Sequence, residues 1–478
     1  MGKRRSVTAT LAVLAAVLTV GRAHGAGLYV SDRGVRPLGR GGAFVAGADD
    51  LGAIWYNPAG IVDAPSSFLG DLSWIDYQTT FARQALVTTA APTSTTLVQR
   101  FPAVTGTTPF LPIPTAAGSI RFGSRNQYAV ALGVYAPDAA LLKYPDQVAG
   151  QPAPQRYSLI SLDGSLLAVI GAWFAYKPTE ALRLGAGIQM LTGSLKTTID
   201  FSACPPDNLL CASEDPDYQA FSALRVGPIF APSANLGATW VPLRALHVGV
   251  SGQAPFVIDA PATVDVRLPT AVEFDSAYQQ GRKAHFHMDL PPVVRVGVEV
   301  RPLSGSDDLR IEVAYVREFW SIQKSIDVTP EDIGLYQILG FPSPYRVPGI
   351  SLPRQFRDSD SVRLGAEYGY DLLGLHFLTR AGVSYETSAV PEPYVSAFTV
   401  DSAKVPVSIG GSLVIGTHLR LDAVFSHTFA SDVTVRPEEA ALYPVNPVNG
   451  NPTRKVAVNG GTYGQNLNVV GVGMEYRF

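Results

Sequence analysis

The sequence is poor in charge and almost lacks cysteine. Charged residues make up 16% of its 478 residues, against about 25% in an ordinary soluble domain. Two cysteines cannot staple a chain of this length, which excludes a disulfide scaffold. Lys and Arg (37) nearly balance Asp and Glu (40), so no nucleic-acid partner is expected. With 10% aromatic residues, the chain is not disordered either.

Residues 1–25 have the features of a secretory signal peptide. Lys3, Arg4 and Arg5 precede an apolar run at residues 11–20, and small residues precede a cleavage point after Gly25. No later run of 18 apolar residues occurs, so no transmembrane helix is predicted. An exported chain of this composition is either a secreted β protein or a transmembrane β-barrel.

Hydrophobic alternation indicates strands with one apolar and one polar face. In residues 293–301, Val294, Val296 and Val298 alternate with Arg295, Gly297 and Glu299. Similar patterns occupy residues 362–368, 375–386 and 419–425. A soluble β-sandwich would show the same alternation, so the connections must decide between the two classes.

Short and long connections alternate along the chain. Short turns are predicted near residues 123–126, 177–180, 241–244, 303–308, 371–374 and 416–418. Long connections are predicted near residues 82–116, 136–156, 202–222, 268–287, 328–358, 389–404 and 437–462. Outer-membrane barrels have short periplasmic turns and long external loops, and counting gives about fourteen strands. The last strand ends in an aromatic residue, Phe478, which resembles the recognition signal of bacterial outer-membrane barrels.

Residues 26–66 do not follow the strand pattern. They are glycine-rich and lack alternation, and their cluster at residues 39–42 is not a phosphate loop because it lacks G-K-[ST]. We expect three parts: a signal peptide (1–25), a hatch inside the lumen (26–66) and an all-β transmembrane barrel with long extracellular loops (67–478).

Several motifs stand out at residues 34–43, 48–50 and 57–60 (Asn-Pro-Ala-Gly), and further at 128–137, 156–158, 289–292 and 361–368. Together they resemble the FadL-like family of outer-membrane long-chain fatty-acid transporters, with its toluene-porin relatives. The resemblance implies a fourteen-stranded antiparallel barrel with an N-terminal hatch that admits hydrophobic molecules. One departure is residues 400–404, Val-Asp-Ser-Ala-Lys, where the family often has a Pro-Asp pair followed by Arg.

The implied function is passive uptake of long-chain fatty acids or hydrocarbons across the outer membrane of a Gram-negative cell. Two connections lack the usual loop polarity: residues 104–117 carry no charge, and residues 333–352 carry only Arg346. We expect such loops to capture the ligand, since exposed apolar patches mark interaction sites. They could instead pack on each other and cap the barrel.

The resemblance also implies lateral release through a kink in the third strand, here residues 127–137. Gly133 cannot fill the wall and Pro137 cannot donate to the ladder, although Pro137 could equally be an ordinary strand end. Pro228 and Pro232 form a second irregularity, read as a bulge in the sixth strand or a strand start displaced into the loop.

The candidate gating residues are Gly133 and Pro137 together with a hatch turn at residues 57–59. Asn57 is predicted to stabilise that turn by bonding nearby backbone, with Pro58 fixing the following φ and Ala59 completing the turn.

Charged residues alternate onto the predicted lumen face and are expected to form ion pairs that hold the barrel and anchor the hatch. These are Arg295, Arg310, Arg363, Arg380, Arg420 and Arg477, with Glu299, Glu312, Glu367, Glu386, Asp422 and Glu475. A fatty-acid carboxylate would need a cation at the end of an apolar pocket, but the sequence does not single one out.

Other site chemistry is sparse. Cys204 and Cys211 are expected to form a structural disulfide in an external loop. His285 and His287 share a strand face but have no third ligand nearby, so neither a metal site nor a cofactor is expected.

The expected partners are a hydrophobic small molecule, outer-membrane lipid and lipopolysaccharide, and the barrel is expected to be a monomer. An outer-membrane enzyme is the alternative class, although no G-x-S-x-G occurs. A general porin or a structural barrel also remains open.

Overall fold

The computed structural model describes residues 32–88, 95–110, 112–137, 141–205, 214–302, 308–448 and 456–478. The predicted signal peptide, residues 1–25, lies outside them.

The described residues form a closed antiparallel barrel of fourteen strands, several of which are built from two or three pieces. The strands are β1 (Ser67–Thr88), β2 (Thr96–Arg100, Val104–Thr107 and Pro112–Phe122), β3 (Tyr128–Tyr135), β4 (Leu166–Thr179), β5 (Leu182–Ser202), β6 (Gln219–Leu243), β7 (Leu246–Gln253 and Phe256–Arg267), β8 (Lys283–Leu290 and Val293–Val300), β9 (Leu309–Glu318 and Ser325–Pro330), β10 (Ile350–Pro353 and Ser359–Leu372), β11 (Leu375–Glu386), β12 (Lys404–Ile415), β13 (Leu419–Ala430) and β14 (Gly461–Arg477).

Each strand pairs with its sequence neighbour, and the first strand closes on the last. The β1–β14 ladder runs without interruption from Ser67↔Arg477 to Arg83↔Gly461. Closure leaves no free sheet edge, which is the condition for placing strands in a bilayer. The described part of the chain contains no helix long and apolar enough to span a membrane.

The remaining regular elements are short. The helices are α1 (Val35–Gly39) and α2 (Ala53–Tyr56), with 3₁₀ turns at Pro58–Val62, Pro216–Tyr218, Val272–Phe274, Trp320–Ile322 and Glu392–Tyr394. Small strands outside the barrel lie at Gln147–Val148, Gln151–Pro152, Tyr278–Gln280, Gly334–Tyr336 and Tyr345–Arg346. Another short strand, Val433–Val435, belongs to the barrel sheet and pairs with β14.

The membrane-spanning half of the barrel has the predicted alternation. In the second piece of β8, Val294, Val296 and Val298 are exposed on the outer surface, whereas Arg295 and Glu299 are buried in the lumen. Lipid therefore meets valine, and the charges face inward.

This polarity reverses farther along the same strands. Across Pro291 and Pro292, the first piece of β8 turns Phe286 and Met288 inward and leaves His285 half-exposed on the outside. β7 reverses in the same way at residues 254–255. Beyond these breaks the barrel is apolar inside and polar outside, which fits a wall that continues past the membrane and encloses apolar space.

Residues 32–66, hereafter the N-terminal segment, are almost entirely buried among the inward faces of the strands. Helix α1 packs on β12 and β13, and the 3₁₀ turn Pro58–Val62 packs on β4, β5 and β6. Close approach to the wall requires glycine: at Gly41 (φ +62°), an added Cβ would lie 2.8 Å from the backbone nitrogen of Val383. The segment occupies the lumen.

Two expectations about the second and third strands differ from the structure. Residues 104–117 were expected to be an external loop, but they contribute to β2, with Val104–Thr107 and Pro112–Phe122 paired to β1. Their lack of charge suits a barrel wall, where Phe110 packs against Trp74 on the outside with 5.3 Å between ring centroids. The expected third strand, 127–137, ends at Tyr135.

Candidate ligand-binding site

A predominantly apolar cavity lies inside the barrel above the N-terminal segment. Its volume is about 230 Å³. The inward faces of the outer strand pieces supply much of its wall, including Phe286, Met288, Ile326, Val328, Ile350 and Leu352. Asp32 and Leu38 of the N-terminal segment also line it. Because the strands reverse polarity here, the chamber can solvate a hydrocarbon chain.

Arg354 is a buried cation in this largely apolar wall. It follows Ile350 and Leu352 on the same inward face, and its side chain is only 5% exposed. Its Nη1 donates to the neighbouring carbonyl of Pro353 (3.2 Å), and its Nε has no hydrogen-bond partner. The guanidinium carbon lies 5.2 Å from the ring centroid of Phe398. Among the described residues, no carboxylate forms an ion pair with it.

Burial lowers the pKa of Arg354 to about 10, with no opposing charge to restore it. The side chain is still a cation at neutral pH. An unpaired buried cation is costly unless something completes its hydrogen bonds. Arg354 is therefore suited to receive an anionic group from a molecule in the cavity.

Lys404, a second cation lining the cavity, is already neutralised. Its Nζ lies 3.1 Å from Glu386 Oε1 and 3.1 Å from Asp401 Oδ1. Asp401 Oδ2 also accepts hydrogen bonds from Ser388 Oγ and the Ala389 backbone N–H, both at 2.9 Å. The sequence departure at residues 400–404 thus places a closed ion-pair cluster beside the cavity, and Arg354 holds the uncompensated charge.

Below the cavity, ion pairs tie the N-terminal segment to the barrel wall. Arg36 lies 2.8 Å from Glu367 of β10 and 2.6 Å from Asp49 within the segment. Asp50 is 2.7 Å from Arg420 of β13, which itself lies 2.9 Å from Glu475. These pairs are largely buried, so removing one partner would leave an uncompensated charge.

Glu312 of β9 binds the segment through its backbone as well. Its carboxylate accepts the N–H groups of Val45, Ala46 and Gly47 at 2.6, 2.9 and 3.0 Å, and Arg40 Nη2 donates to it at 3.2 Å. This glutamate fixes the loop that follows α1.

The Asn-Pro-Ala-Gly motif lies in this anchored region and not at the cavity. Asn57 Oδ1 accepts the Ala59 N–H at 3.1 Å, while its Nδ2 donates to Val45 O (2.8 Å) and Thr239 Oγ1 (2.9 Å). Pro58 begins the 3₁₀ turn. Asn57, Pro58 and Ala59 are buried, and none of them lines the cavity. Asn57 thus joins the turn to β6, and a gating role remains a prediction.

The two candidate exit residues differ in position. Gly133 pairs regularly with Ala117 of β2 and Gly171 of β4, so the ladder of the third strand is not interrupted at this residue. Its missing side chain makes room for the segment instead, because an added Cβ would lie 3.1 Å from Ile54 Cδ1. Pro137 lies beyond the end of β3 and lines the cavity.

Cys204 and the two histidines lie away from the cavity. The Cys204 carbonyl accepts a hydrogen bond from Asn446 Nδ2 at 2.9 Å. Cys211 is outside the described residues, so their pairing remains a prediction. His285 pairs with Asp259 on the outer surface. No cluster of three metal-ligating side chains occurs in the described part of the chain.

A closed barrel with lipid-facing valines, an occupied lumen and an internal apolar cavity defines an outer-membrane barrel of the transport class. Residues 16–478 match the family of outer membrane protein transport proteins (OMPP1/FadL/TodX). The chain belongs to this family, whose members are transport channels located in the outer membrane. No curated protein matches the chain.

Solved structures agree with the fold. A Pseudomonas aeruginosa FadL homologue superimposes with a TM-score of 0.69 at 14% identity, covering 95% of this chain and 100% of its own. The toluene transporter TodX of P. putida gives 0.60 at 13% identity, covering 94% and 99%. The Ralstonia pickettii toluene transporter TbuX gives 0.57 at 18% identity, covering 94% and 99%. At these identities the likeness shows the fold alone.

Proposed function

We propose that this protein takes up long-chain carboxylates by passive diffusion across the outer membrane. The observation that carries the proposal is Arg354, a buried cation without a carboxylate partner among the described residues, in a cavity whose wall is mostly apolar. A neutral hydrocarbon would leave its guanidinium unsatisfied. The hydrocarbon tail of a fatty acid would fill the cavity, and its carboxylate would accept hydrogen bonds from the guanidinium.

The two parts of such a ligand contribute differently. Burying each methylene is worth about 0.8 kcal/mol, so the tail supplies most of the affinity. A hydrogen bond to a charged group contributes about 1.5–3 kcal/mol. Arg354 would therefore select for the carboxylate, while chain length sets the binding strength.

Capture is proposed to begin at the external connections. Val272 and Leu339 are strongly exposed there, above a packed cluster that contains Phe274, Leu335 and Ile338. The connection that contains Leu339 continues into Ile350 and Leu352, which line the cavity. An apolar surface thus leads from the outside towards Arg354.

Lateral exit at the third strand is supported by the end of the β2–β3 ladder. Its last pair is Thr115↔Tyr135, and the residues of the same β2 piece just before Thr115 include Pro112 and Pro114, which have no N–H to donate. Pro137 stands at this opening and at the cavity wall. Residues 26–66, of which 32–66 are described, act in this proposal as a hatch that remains in the lumen, so the ligand leaves sideways into the membrane.

Uptake by cells that lack a native transporter tests the proposal. We compare dodecanoate, dodecanol and a hydrophilic sugar, with and without the protein. Faster entry of dodecanoate alone or of both apolar probes supports hydrophobic uptake, and a preference for dodecanoate supports the carboxylate assignment. Equal acceleration of the sugar would indicate an open porin and contradict the proposal.

The exit is tested in a Cys204→Ser/Cys211→Ser background. A bis-maleimide joins Pro114→Cys to Ala136→Cys just beyond the last ladder pair. The matched control joins Ile120→Cys to Val130→Cys, an outward pair within the continuous ladder. Cross-linking should slow uptake only in the first variant, and equal rates in both would contradict lateral exit at β3.

A further inference from the structure

The ladder between β6 and β7 is interrupted in its middle. Pairing runs from Phe221↔Arg267 to Val226↔Ala262 at the outer end and resumes at Asn235↔Gln253. Residues 227–233 of β6 and 255–261 of β7, all of them described, have no pairing with each other. Both strands remain extended, since β6 pairs with β5 and β7 pairs with β8 over this stretch.

The cause is a mismatch in side-chain direction. A bulge at residues 227–228 makes Val226 and Ile229 both point inward on β6. On β7, the break at residues 254–255 makes Gln253 and Phe256 both point inward, but this break lies at the opposite end of the gap. The pairing register is the same on the two sides of the gap. Continued across the gap, it places Ile229, which points inward, opposite Asp259, which points outward. Because a one-residue offset inverts every side chain, the strands cannot pair here without turning polar groups inward.

The unpaired stretch between residues 227–233 of β6 and 255–261 of β7, hereafter the β6–β7 seam, is rich in proline. Pro228 and Pro232 lie on β6. Pro255 and Pro261 are the first and last residues of the facing stretch of β7, residues 255–261. Proline cannot donate a ladder hydrogen bond and is tolerated where a strand lacks a partner on one side. The irregularity anticipated at Pro228 and Pro232 is thus a bulge, and it belongs to a two-strand feature.

The seam separates the cavity from the membrane-facing surface. Val226 and Ile258 line the cavity at the outer part of the gap. On the outer surface, Phe230 is 64% and Val257 45% exposed, and they give way to the polar Asp259. Apolar groups therefore flank the gap on both sides, at the height where the outer wall changes from apolar to polar.

We propose that the β6–β7 seam is a second lateral passage, through which apolar chains move between the cavity and the outer boundary of the membrane. This rests on the proposed uptake function and adds to it a route independent of β3. Opening the seam would break no cross-strand backbone hydrogen bonds over residues 227–233, whereas opening a continuous seam would break a row of them.

Cross-linking across the seam tests the passage in the Cys204→Ser/Cys211→Ser background. A bis-maleimide joins Phe230→Cys to Val257→Cys, both outward-facing. The matched control is Ala238→Cys/Val250→Cys, an outward pair in the continuous part of the same β6–β7 ladder. We expect cross-linking to slow dodecanoate uptake at least threefold across the gap and by less than 1.5-fold in the control. Equal rates in the two variants would overturn the inference.

A second measurement does not depend on uptake. Purified protein without substitutions is irradiated with a diazirine-bearing dodecanoate, and the labelled peptides are identified by mass spectrometry. Label in residues 227–233 or 255–261 supports the passage. Label confined to peptides of β9 and β10 overturns it. If the protein moves no apolar probe in cells, the proposed function fails, and the labelling pattern still decides whether chains enter the seam.

Discussion

Replacing Arg354 with glutamine should separate recognition of the head group from binding of the tail. The substitution removes the cavity's uncompensated cation and leaves its hydrocarbon wall intact. Losing a charged hydrogen bond costs about 1.5–3 kcal/mol, which corresponds to about a 10- to 150-fold weaker affinity for dodecanoate. Dodecanol, with the same tail and no charge, should bind within about twofold of its original affinity.

The assay is equilibrium binding of both ligands to detergent-purified protein, with thermal unfolding measured in parallel. Arg346→Gln is the matched control, since Arg346 is an exposed arginine of the same connection and does not line the cavity. Arg354→Gln should not lower the unfolding temperature of the ligand-free protein, because it removes a buried charge that no carboxylate compensates. Equal losses for dodecanoate and dodecanol, or no loss for dodecanoate, would refute the assignment of Arg354 to the carboxylate.

Three further outcomes follow from other features. Dodecanoate affinity should be constant from about pH 6 to 9, fall below about pH 5 as the ligand's carboxyl is protonated, and fall again above pH 10 as Arg354 loses its proton; a titration showing a step near pH 7 would contradict this. Asn57→Ala should destabilise the N-terminal segment by about 1–3 kcal/mol and reduce uptake while the barrel remains heat-modifiable on gels; normal uptake by a correctly inserted variant would argue against the gating role. Mass spectrometry of an unreduced digest should find Cys204 joined to Cys211, and the double serine variant should insert and transport normally; two free thiols would disprove the pairing.

The barrel could be predicted because its evidence is local. Alternation in residues 293–301 is a property of neighbouring side chains, and it predicted correctly which face of β8 meets lipid. The reversal of polarity was harder to anticipate. Pro291 and Pro292 interrupt a strand that continues on the other side, so the two pieces look like separate elements.

Arg354 was missed although the sequence contained a signal for it. Ile350, Leu352 and Arg354 follow a period of two, which places the arginine on the same face as two apolar residues. The apolar stretch at residues 333–352 is part of the loop predicted near residues 328–358, and in a loop such a period has no meaning. Lack of a carboxylate partner depends on the packing of distant segments, and no local pattern reports it.

The length of β6 has a consequence for where the ligand travels. Its 25 residues at about 3.3 Å each extend roughly 80 Å, or about 60 Å in height at a tilt near 40°. The apolar band of an outer-membrane barrel is only about 25 Å tall. We propose that the part of this wall above the apolar band projects into the sugar layer of the lipopolysaccharide, together with the cavity that it encloses. In this proposal, the barrier that the protein shortens for a hydrophobic molecule is the layer of hydrated carbohydrate, and the hydrocarbon of the bilayer is the destination of that molecule.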